Sequence, residues 1–401
     1  MDRMSKTVSI IGQGYVGLPL AIACAKVGFK VTGIDINSQI VEKLNQGVST
    51  IEDIPSLDIK EVLSAGNYIA SKEYTSINYA DTVIVCVPTP LNTKNQPDLS
   101  YLESAVKNLA QVLKEGTLII IESTIAPETT RKVLLPLIQN HVQPLNLNYH
   151  LAFSPERIDP SNNVWNISNT PKLVAGLDDF ACELACKFYS NFVQNLVKCS
   201  SLEIAETAKL LENSFRFVNI SFVNQIAKFC NKLGVDVNEV INAASTKPYG
   251  FMPFYPSAGV GGHCIPVDPM YLSSKAREIG SALTFIDLAE RTNLELPVYF
   301  AERAESKLGD LKNKSILIVG VAYKPNVSDV RETPVEPLIF ELRRRGAHVV
   351  WHDDLVQVWN GEKSVKLSDK YDLAILTTVH SSMDLGQLGK SPILDTRNSL
   401  N

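Results

Sequence analysis

A thiol at position 264 stands in the segment FMPFYPSAGVGGHCIPVDP (251–269), with Asp268 four residues further on. Prolines at 253, 256, 266 and 269 argue against a long helix, and Gly259, Gly261 and Gly262 allow close backbone approach and unusual φ/ψ. Cys264 on such a turn reads as a presented nucleophile beside a carboxylate. Taken alone, it reads equally as a buried small hydrophobe, the commoner state of a free cysteine. A second polar group lies at helical spacing: Lys209, Asn213 and Arg216 fall at i, i+4 and i+7, on one face. Such a stripe is either a solvated face or a set of donors aimed at a ligand. His263 adjoins the thiol, but neighbours in an extended segment point to opposite sides. Substrate shaping or local packing is its expected role.

The elements that must position these residues begin at the N-terminus. TVSII (7–11) reads as a buried strand running into GQGYVG (12–17), an apolar helix to about Gly28, and a second strand, VTGID (31–35). Gly12, Gly14 and Gly17, with Tyr15 and Val16 between them, form GxGxxG in the strand–turn–helix context that dinucleotide binding requires. The first two glycines let backbone N–H groups approach a pyrophosphate, and the third permits close helix–strand packing. Asp35 would accept from a ribose hydroxyl. Ile36 and Asn37 follow it, with no arginine for a 2′-phosphate, so NAD is favoured over NADP.

Further βα alternation follows. TVIVCVPTP (82–90) puts Thr89 and Pro90 at the carboxyl end of a strand, the edge where a ligand crosses such a sheet. TLIIIESTIAP (117–127) puts Ser123 and Thr124 at the next tip; the hydroxyls either cap a helix or meet the cofactor. HLAFSPERIDP (150–160) sets Glu156 and Arg157 just past another strand, as a surface ion pair or as a catalytic acid beside an anion ligand. KLVAG (172–176) and FVQNLV (192–197) supply further strands. From 201 to Gly234 the pattern is one long helix without proline, in which Ile204, Ala208, Leu211, Phe215 and Val218 are expected to supply apolar packing. Its length suits a domain junction or a subunit interface. A short helix (236–245), the proline-rich loop and more helix (270–308) come next.

The third segment starts over. SILIVGVAYKPNVSDVRETP (315–334) is a strand, a glycine turn and a polar loop, followed by a helix ending on Arg343, Arg344 and Arg345 and by the strands AHVVWHDD and YDLAILTT. The three arginines most simply complement a helix C-terminus. Lys324 and Arg331 are better placed for a phosphate ligand. The predicted architecture is α/β: a Rossmann domain over 1–200, a helical dimerisation domain carrying the cysteine loop over 201–308, and a second Rossmann-like domain over 309–401.

Composition narrows the function classes. The 401 residues are 45% hydrophobic and 20% charged, as in an ordinary globular protein. A net charge of −5 gives no electrostatic case for nucleic acid or an anionic membrane surface. No apolar run reaches the ~20 residues of a membrane span, and no signal peptide opens the chain. Seven cysteines without a paired framework suit a reducing compartment, so a cytoplasmic location is expected. Cys182 and Cys186 share a helix face, but no second Cys/His pair lies nearby, and no metal is expected.

The motifs GQGYVG, VPTP, EST, SPER, AKLLENSFR, GVGGHCIPVDP and GVAYKPNVSDVRETP occur in one order over essentially the whole chain. In this the sequence resembles the UDP-glucose/GDP-mannose dehydrogenase family. TKPYGFMPFYPSAGVGGHCIPVDP looks more like the branch acting on UDP-N-acetylhexosamines, gluco or manno, than the glucose branch. The resemblance implies two NAD-driven oxidations at C6 of a UDP-sugar, giving a uronic acid for surface-polysaccharide precursors, and a homodimer built around the long helix. It further implies that Cys264 is the nucleophile with Asp268 nearby, that Lys209 and Asn213 stabilise oxyanions, and that Glu156 is the catalytic glutamate. Thr124 would position cofactor and water, Lys324 would face the sugar nucleotide, and Arg331 the cofactor. Phe251, Tyr255, Gly261 and Arg157 are expected near the substrate. One departure stands out: glucose-specific members carry a second glutamate four residues after the first, where this chain has Pro160.

The residue types suit that chemistry. An aldehyde does not readily give up a second hydride; a thiolate adds to it and makes a tetrahedral thiohemiacetal that does, leaving a thioester for water to cleave. Lys and Asn supply donors to the developing oxyanion, and a carboxylate assists proton transfer. Competing readings are a UDP-glucose or GDP-mannose 6-dehydrogenase, a two-electron hydroxyacid-type dehydrogenase, which leaves the third segment and Cys264 unexplained, and a silent nucleotide-binding scaffold.

Overall fold

The computed structural model describes residues 7–52, 54–158, 162 and 164–397. By packing, the chain divides into two units, 1–211 and 212–401.

The first unit alternates β1 (Thr7–Ile11), α1 (Gly17–Lys26), β2 (Lys30–Ile34), α2 (Ser38–Asn45), α3 (Ser56–Ser64), β3 (Tyr68–Ser71), β4 (Thr82–Val85), α4 (Ser100–Ala110), β5 (Thr117–Ile121), α5 (Leu135–Val142), β6 (Tyr149–Phe153), β7 (Lys172–Gly176), α6 (Asp179–Tyr189) and β8 (Leu196–Lys198). Its sheet runs β3-β2-β1-β4-β5-β6-β7-β8, and the β6–β7 pair is antiparallel. The portion β3 to β6 is parallel and has the doubly wound order. Successive residues of a strand face opposite sides, so each central strand feeds two cores. Leu118 and Ile120 of β5 pack with Leu18 and Leu20 of α1 and with Phe188 and Tyr189 of α6. Ile119 and Ile121 pack on the other face with Leu102, Val106 and Leu109 of α4. Helices on both faces explain why these strands read as unbroken apolar runs. β4 and β5 end earlier than their apolar patterns, at Val85 and Ile121, because the residues beyond them leave the ladder at the carboxyl edge.

A single helix, α7 (Leu202–Leu233), holds the division between the units. The second unit continues with α8 (Val237–Ser245), α9 (Asp268–Glu278), α10 (Thr284–Leu308), β9 (Ser315–Val319), α11 (Val335–Arg344), β10 (His348–His352), β11 (Val358–Trp359), β12 (Glu362–Lys363), β13 (Leu373–Leu376) and β14 (Ile393–Asp395). The helical pattern expected over 270–308 is two helices, parted where Gly280 takes φ +75°. The second sheet, β10-β9-β13-β14, is parallel throughout. Two Rossmann-like sheets and a long helix thus match the expected fold class. Among the described residues no helix is long and apolar enough to cross a membrane.

Candidate active site

The glycine loop of the first unit uses its three glycines for different reasons. Gly12 has φ +91°, and a Cβ there would lie 2.5 Å from the Cys86 carbonyl oxygen. A Cβ on Gly17 would lie 1.8 Å from the Gly12 carbonyl oxygen, so this residue locks α1 against the strand end. Gly14 has no atom within 4 Å of its would-be Cβ and is exposed, leaving open space on the outer face of the loop. Tyr15 and Val16 pack partly buried against the core. Asp35, half-exposed at the tip of β2, accepts the Gln13 N–H at 2.9 Å on one carboxylate oxygen and the Asn37 N–H at 2.9 Å on the other. Gln13 is itself locked inside, donating to the Ile10 carbonyl at 2.9 Å and accepting from the Tyr68 hydroxyl at 2.9 Å. A fixed acid beside an open, glycine-lined turn fits a dinucleotide's ribose and pyrophosphate.

At the neighbouring strand tips the hydroxyls bind backbone. Thr89 donates to the Thr124 carbonyl at 2.8 Å, and Ser123 donates to the Val87 carbonyl at 2.8 Å. Neither caps a helix; together they stitch the segment after β4, which includes Pro90, to that after β5. Glu156 folds back so that one carboxylate oxygen accepts the N–H of Arg157 at 2.6 Å and of Ile158 at 2.5 Å. The Arg157 guanidinium donates to the Pro171 carbonyl at 2.6 Å. Pro160 lies outside the described residues.

Beneath these tips is a buried charge cluster that the sequence reading did not single out. Glu122 meets Lys172 at 3.1 Å and accepts from the Tyr189 hydroxyl, while the Lys172 ammonium lies 4.9 Å from the Tyr189 ring centroid. Burial raises the Glu122 carboxyl despite Lys172, and Glu156 adds to the rise. Burial works to lower the Lys172 ammonium, yet the charges of Glu122 and Glu156 hold it above the ordinary lysine value.

α7 buries polar side chains beside apolar ones such as Leu210, Phe217 and Val223. Lys209 and Asn213 are buried, at 8% and 7% exposure, with Glu206, Ser214, Ser221 and Asn224 along the same side. Arg216, seven residues from Lys209 and so on the same side of the helix, is exposed. Ile204, Leu211 and Phe215, expected to pack inward, are instead exposed together with Phe222, Phe229 and Leu233, each between 47% and 61%. At 3.6 residues per turn these six positions fall within about 40° of one line along the helix. Glu206, one turn before Lys209, accepts the Glu128 N–H at 2.7 Å and the Thr130 N–H at 2.9 Å. It thereby fastens α7 to the segment that follows Thr124. Its three-residue spacing from Lys209 was the available signal.

In the second unit Asn213 donates to Asp268 at 2.5 Å, both side chains buried. Asp268 opens α9, and its N–H donates to the Cys264 carbonyl at 2.8 Å, closing a turn with the Val267 N–H at 3.1 Å. Cys264 is half-buried on that turn, not sealed in a hydrophobic interior. The glycines before it are pressed on the loop that follows β9. A Cβ at Gly261 would lie 2.7 Å from the Glu332 carbonyl oxygen and 2.8 Å from Pro334, and one at Gly262, where φ is +89°, would lie 2.9 Å from the Tyr323 ring. The Gly262 N–H donates to the Arg331 carbonyl at 3.2 Å. Lys324 is half-buried, its ammonium 5.9 Å from the Tyr323 ring centroid. Arg331 is exposed and grips Asp329 with Nε at 2.9 Å and a terminal nitrogen at 2.6 Å. Burial opposes ionisation of Asp329, and Arg331 overcomes it, leaving that carboxyl below its ordinary value. Phe251 and Tyr255 are exposed, with the Tyr255 hydroxyl 3.4 Å from Asn242.

The arginine run that ends α11 is occupied by protein. Arg344 and Arg345 both donate to Glu341 at 2.8 Å, and Arg343 donates to Glu362 and to the Val349 carbonyl, each at 2.9 Å. Structural ion pairing, rather than phosphate binding, accounts for all three.

Three models of one family match the chain. They are described as the NAD binding domain (residues 6–193), the central domain (203–295) and the UDP binding domain (317–401) of the UDP-glucose/GDP-mannose dehydrogenase family. The UDP-N-acetyl-D-mannosamine dehydrogenase of Pyrococcus horikoshii is 34% identical over 407 residues, 98% of this chain and 95% of that protein. The UDP-N-acetyl-D-glucosamine 6-dehydrogenase of Pseudomonas aeruginosa is 32% identical over 405 residues, 96% of this chain and 94% of that one. The solved structure of the UDP-D-ManNAc dehydrogenase from P. horikoshii has a TM-score of 0.90 at 34% identity, covering 98% of this chain and 95% of the other.

Proposed function

The chain belongs to the UDP-glucose/GDP-mannose dehydrogenase family of nucleotide-sugar dehydrogenases, and from that premise we propose that it oxidises C6 of a UDP-N-acetylhexosamine, gluco or manno, to the uronic acid. The observation that carries the choice of substrate is whole-length similarity to enzymes named for the two N-acetylated sugars. Polysaccharide precursor synthesis is the corresponding use of the product.

The loop of Gly12, Gly14 and Gly17, with Asp35 and Arg331, would hold NAD, which would supply the acceptor for hydride. The chain's own residues do the rest. The Cys264 thiolate adds to the C6 aldehyde, forming a C–S bond and placing negative charge on the oxygen. Lys209 and the Asn213 amide donate to that oxygen; Asn213 has one N–H engaged by Asp268, which orients the amide. Loss of hydride from this adduct leaves a thioester. Water attacks it, the C–S bond breaks, and the thiolate returns. Glu156 or Asp268 takes the proton of that water, which Thr124 helps to hold. Lys324, Arg157, Gly261, Phe251 and Tyr255 contact the sugar nucleotide in this reading. The exposed apolar line of α7 supports a homodimer formed through that helix.

The test is a panel of UDP- and GDP-sugars followed by NADH absorbance. Two NADH per sugar, confined to the UDP-N-acetylhexosamines, is the expected result, with Cys264→Ser abolishing steady-state acid formation. One NADH per sugar with free aldehyde accumulating rejects the thioester route. Preference for UDP-glucose or GDP-mannose rejects the substrate.

A further inference from the structure

The two sheets carry the same local device with opposite outcomes. Gly12 donates its N–H to the Ile34 carbonyl at 2.7 Å, and Gly320 donates to the His352 carbonyl at 2.8 Å. Gln13 donates its N–H to Asp35 at 2.9 Å, and Val321 donates to Asp353 at 2.8 Å. Each glycine lies against the tip of the next strand: a Cβ on Gly320 would sit 1.7 Å from the Thr378 carbonyl oxygen. Asp35 keeps partial exposure, whereas Asp353 is sealed at 1%. Its carboxylate accepts the N–H groups of Val321, Ala322, Leu355 and Val356, and His380 Nε2 at 3.0 Å. His380 occupies the place at which a ribose hydroxyl would meet the acid of a dinucleotide-binding sheet.

The other ring nitrogen faces a group that can only donate, the Asn326 N–H, at 2.8 Å. Nδ1 is therefore the acceptor and Nε2 carries the proton to Asp353. Asn326 has φ +62° and is held a second time, its side-chain oxygen accepting the N–H and the hydroxyl of Ser381, each at 2.9 Å. The loop so anchored runs on both sides of Asn326. It contains Lys324 two residues before and Arg331 five after, and its Tyr323 and Glu332 press on Gly261 and Gly262 next to Cys264.

We propose that His380 is a positioning residue: the bond from the Asn326 N–H to its Nδ1 fixes the loop after β9, and through that loop both the sugar-nucleotide contacts and the placement of the Cys264 turn. The first half rests on the functional reading above; the second does not.

Two isosteres separate the two ring nitrogens. His380→Asn keeps an acceptor in the Nδ1 position and loses the donor to Asp353, whereas His380→Gln keeps the donor and loses the acceptor. Two readouts are taken: KM for the UDP-N-acetylhexosamine turned over, beside KM for NAD, and the iodoacetamide alkylation rate of the Cys264 peptide by mass spectrometry without ligands. In His380→Gln the sugar KM rises about tenfold, as a lost buried hydrogen bond implies. NAD KM rises as well, because Arg331 is carried by the same loop, and Cys264 alkylation quickens about threefold, on the same reasoning. His380→Asn recovers most of these changes. Equal impairment of both variants, or wild-type behaviour of His380→Gln, overturns the proposal. If the wild-type protein turns over no UDP-sugar, the functional reading fails, and the alkylation difference alone decides the role of His380. Should His380→Gln not fold, His380→Asn decides alone: it keeps the acceptor for the Asn326 N–H, so Cys264 alkylation is expected at the wild-type rate, and a rate raised about threefold rejects the idea.

Discussion

Lys172 and Glu122 are both nearly sealed, with side chains 8% and 0% exposed. Removing one partner of such a pair leaves a buried charge with nothing to meet it, which costs about 3–5 kcal/mol. Lys172→Met is therefore expected to lower the stability of the chain by that amount in urea titration, and adding Glu122→Gln restores part of it. An unchanged midpoint in the single variant means the pair contributes nothing. None of this was legible beforehand. EST was read for its hydroxyls, and the partner of its glutamate lies 50 residues away on another strand, a separation that local patterning cannot report. Cys264 was legible as a residue on a turn, because four prolines and three glycines mark that backbone. The buried state of Asn213 and its bond to Asp268 were not.

Elements behaved as their periodicity dictated, with α7 as the instructive exception. Periodicity located the helix and its length but misplaced Ile204, Leu211 and Phe215, which are exposed, while the Lys209 and Asn213 stripe, readable either as solvated or as aimed at a ligand, is buried. The helix buries Lys209 and Asn213 beside Leu210, Phe217 and Val223 and carries a second apolar line outward. The end of α11 shows a different device. Hydrogen bonds from Arg344, then from Arg345, outweigh partial desolvation and lower the Glu341 carboxyl to about 2. Arg345 also pairs with Glu305 of α10, so its guanidinium ties two helices. A depressed acid stabilises the fold in full above the ordinary glutamate value of about 4.3, and that contribution disappears as pH falls toward about 2. Glu341→Gln should be less stable than wild type at pH 7, with the gap narrowing between about pH 4 and pH 2. A gap that is constant with pH rules out the ionic origin.

At the scale of the molecule, the repetition of a βα sheet was readable from two strand–glycine–strand passages, whereas the match of Asp353 to Asp35 came from the hydrogen bonds. Their opposite fates were not readable, because they depend on a histidine supplied by a later strand tip. The six exposed apolar side chains of α7 lead to a prediction about assembly. Sedimentation should give twice the chain mass for the wild type and the single-chain mass for the Phe222→Glu, Phe229→Glu double variant. A monomeric wild type rejects the homodimer.

The saturation of Asp353 also bears on redesign. Swapping nicotinamide cofactors normally begins by replacing the acid that reads the adenosine ribose, and a protein with two open sheets of this kind would demand two edits. Here only Asp35 is addressable, since stripping His380 from Asp353 still leaves four amide protons on that carboxylate. An engineer could rework one pocket without creating a decoy in the other.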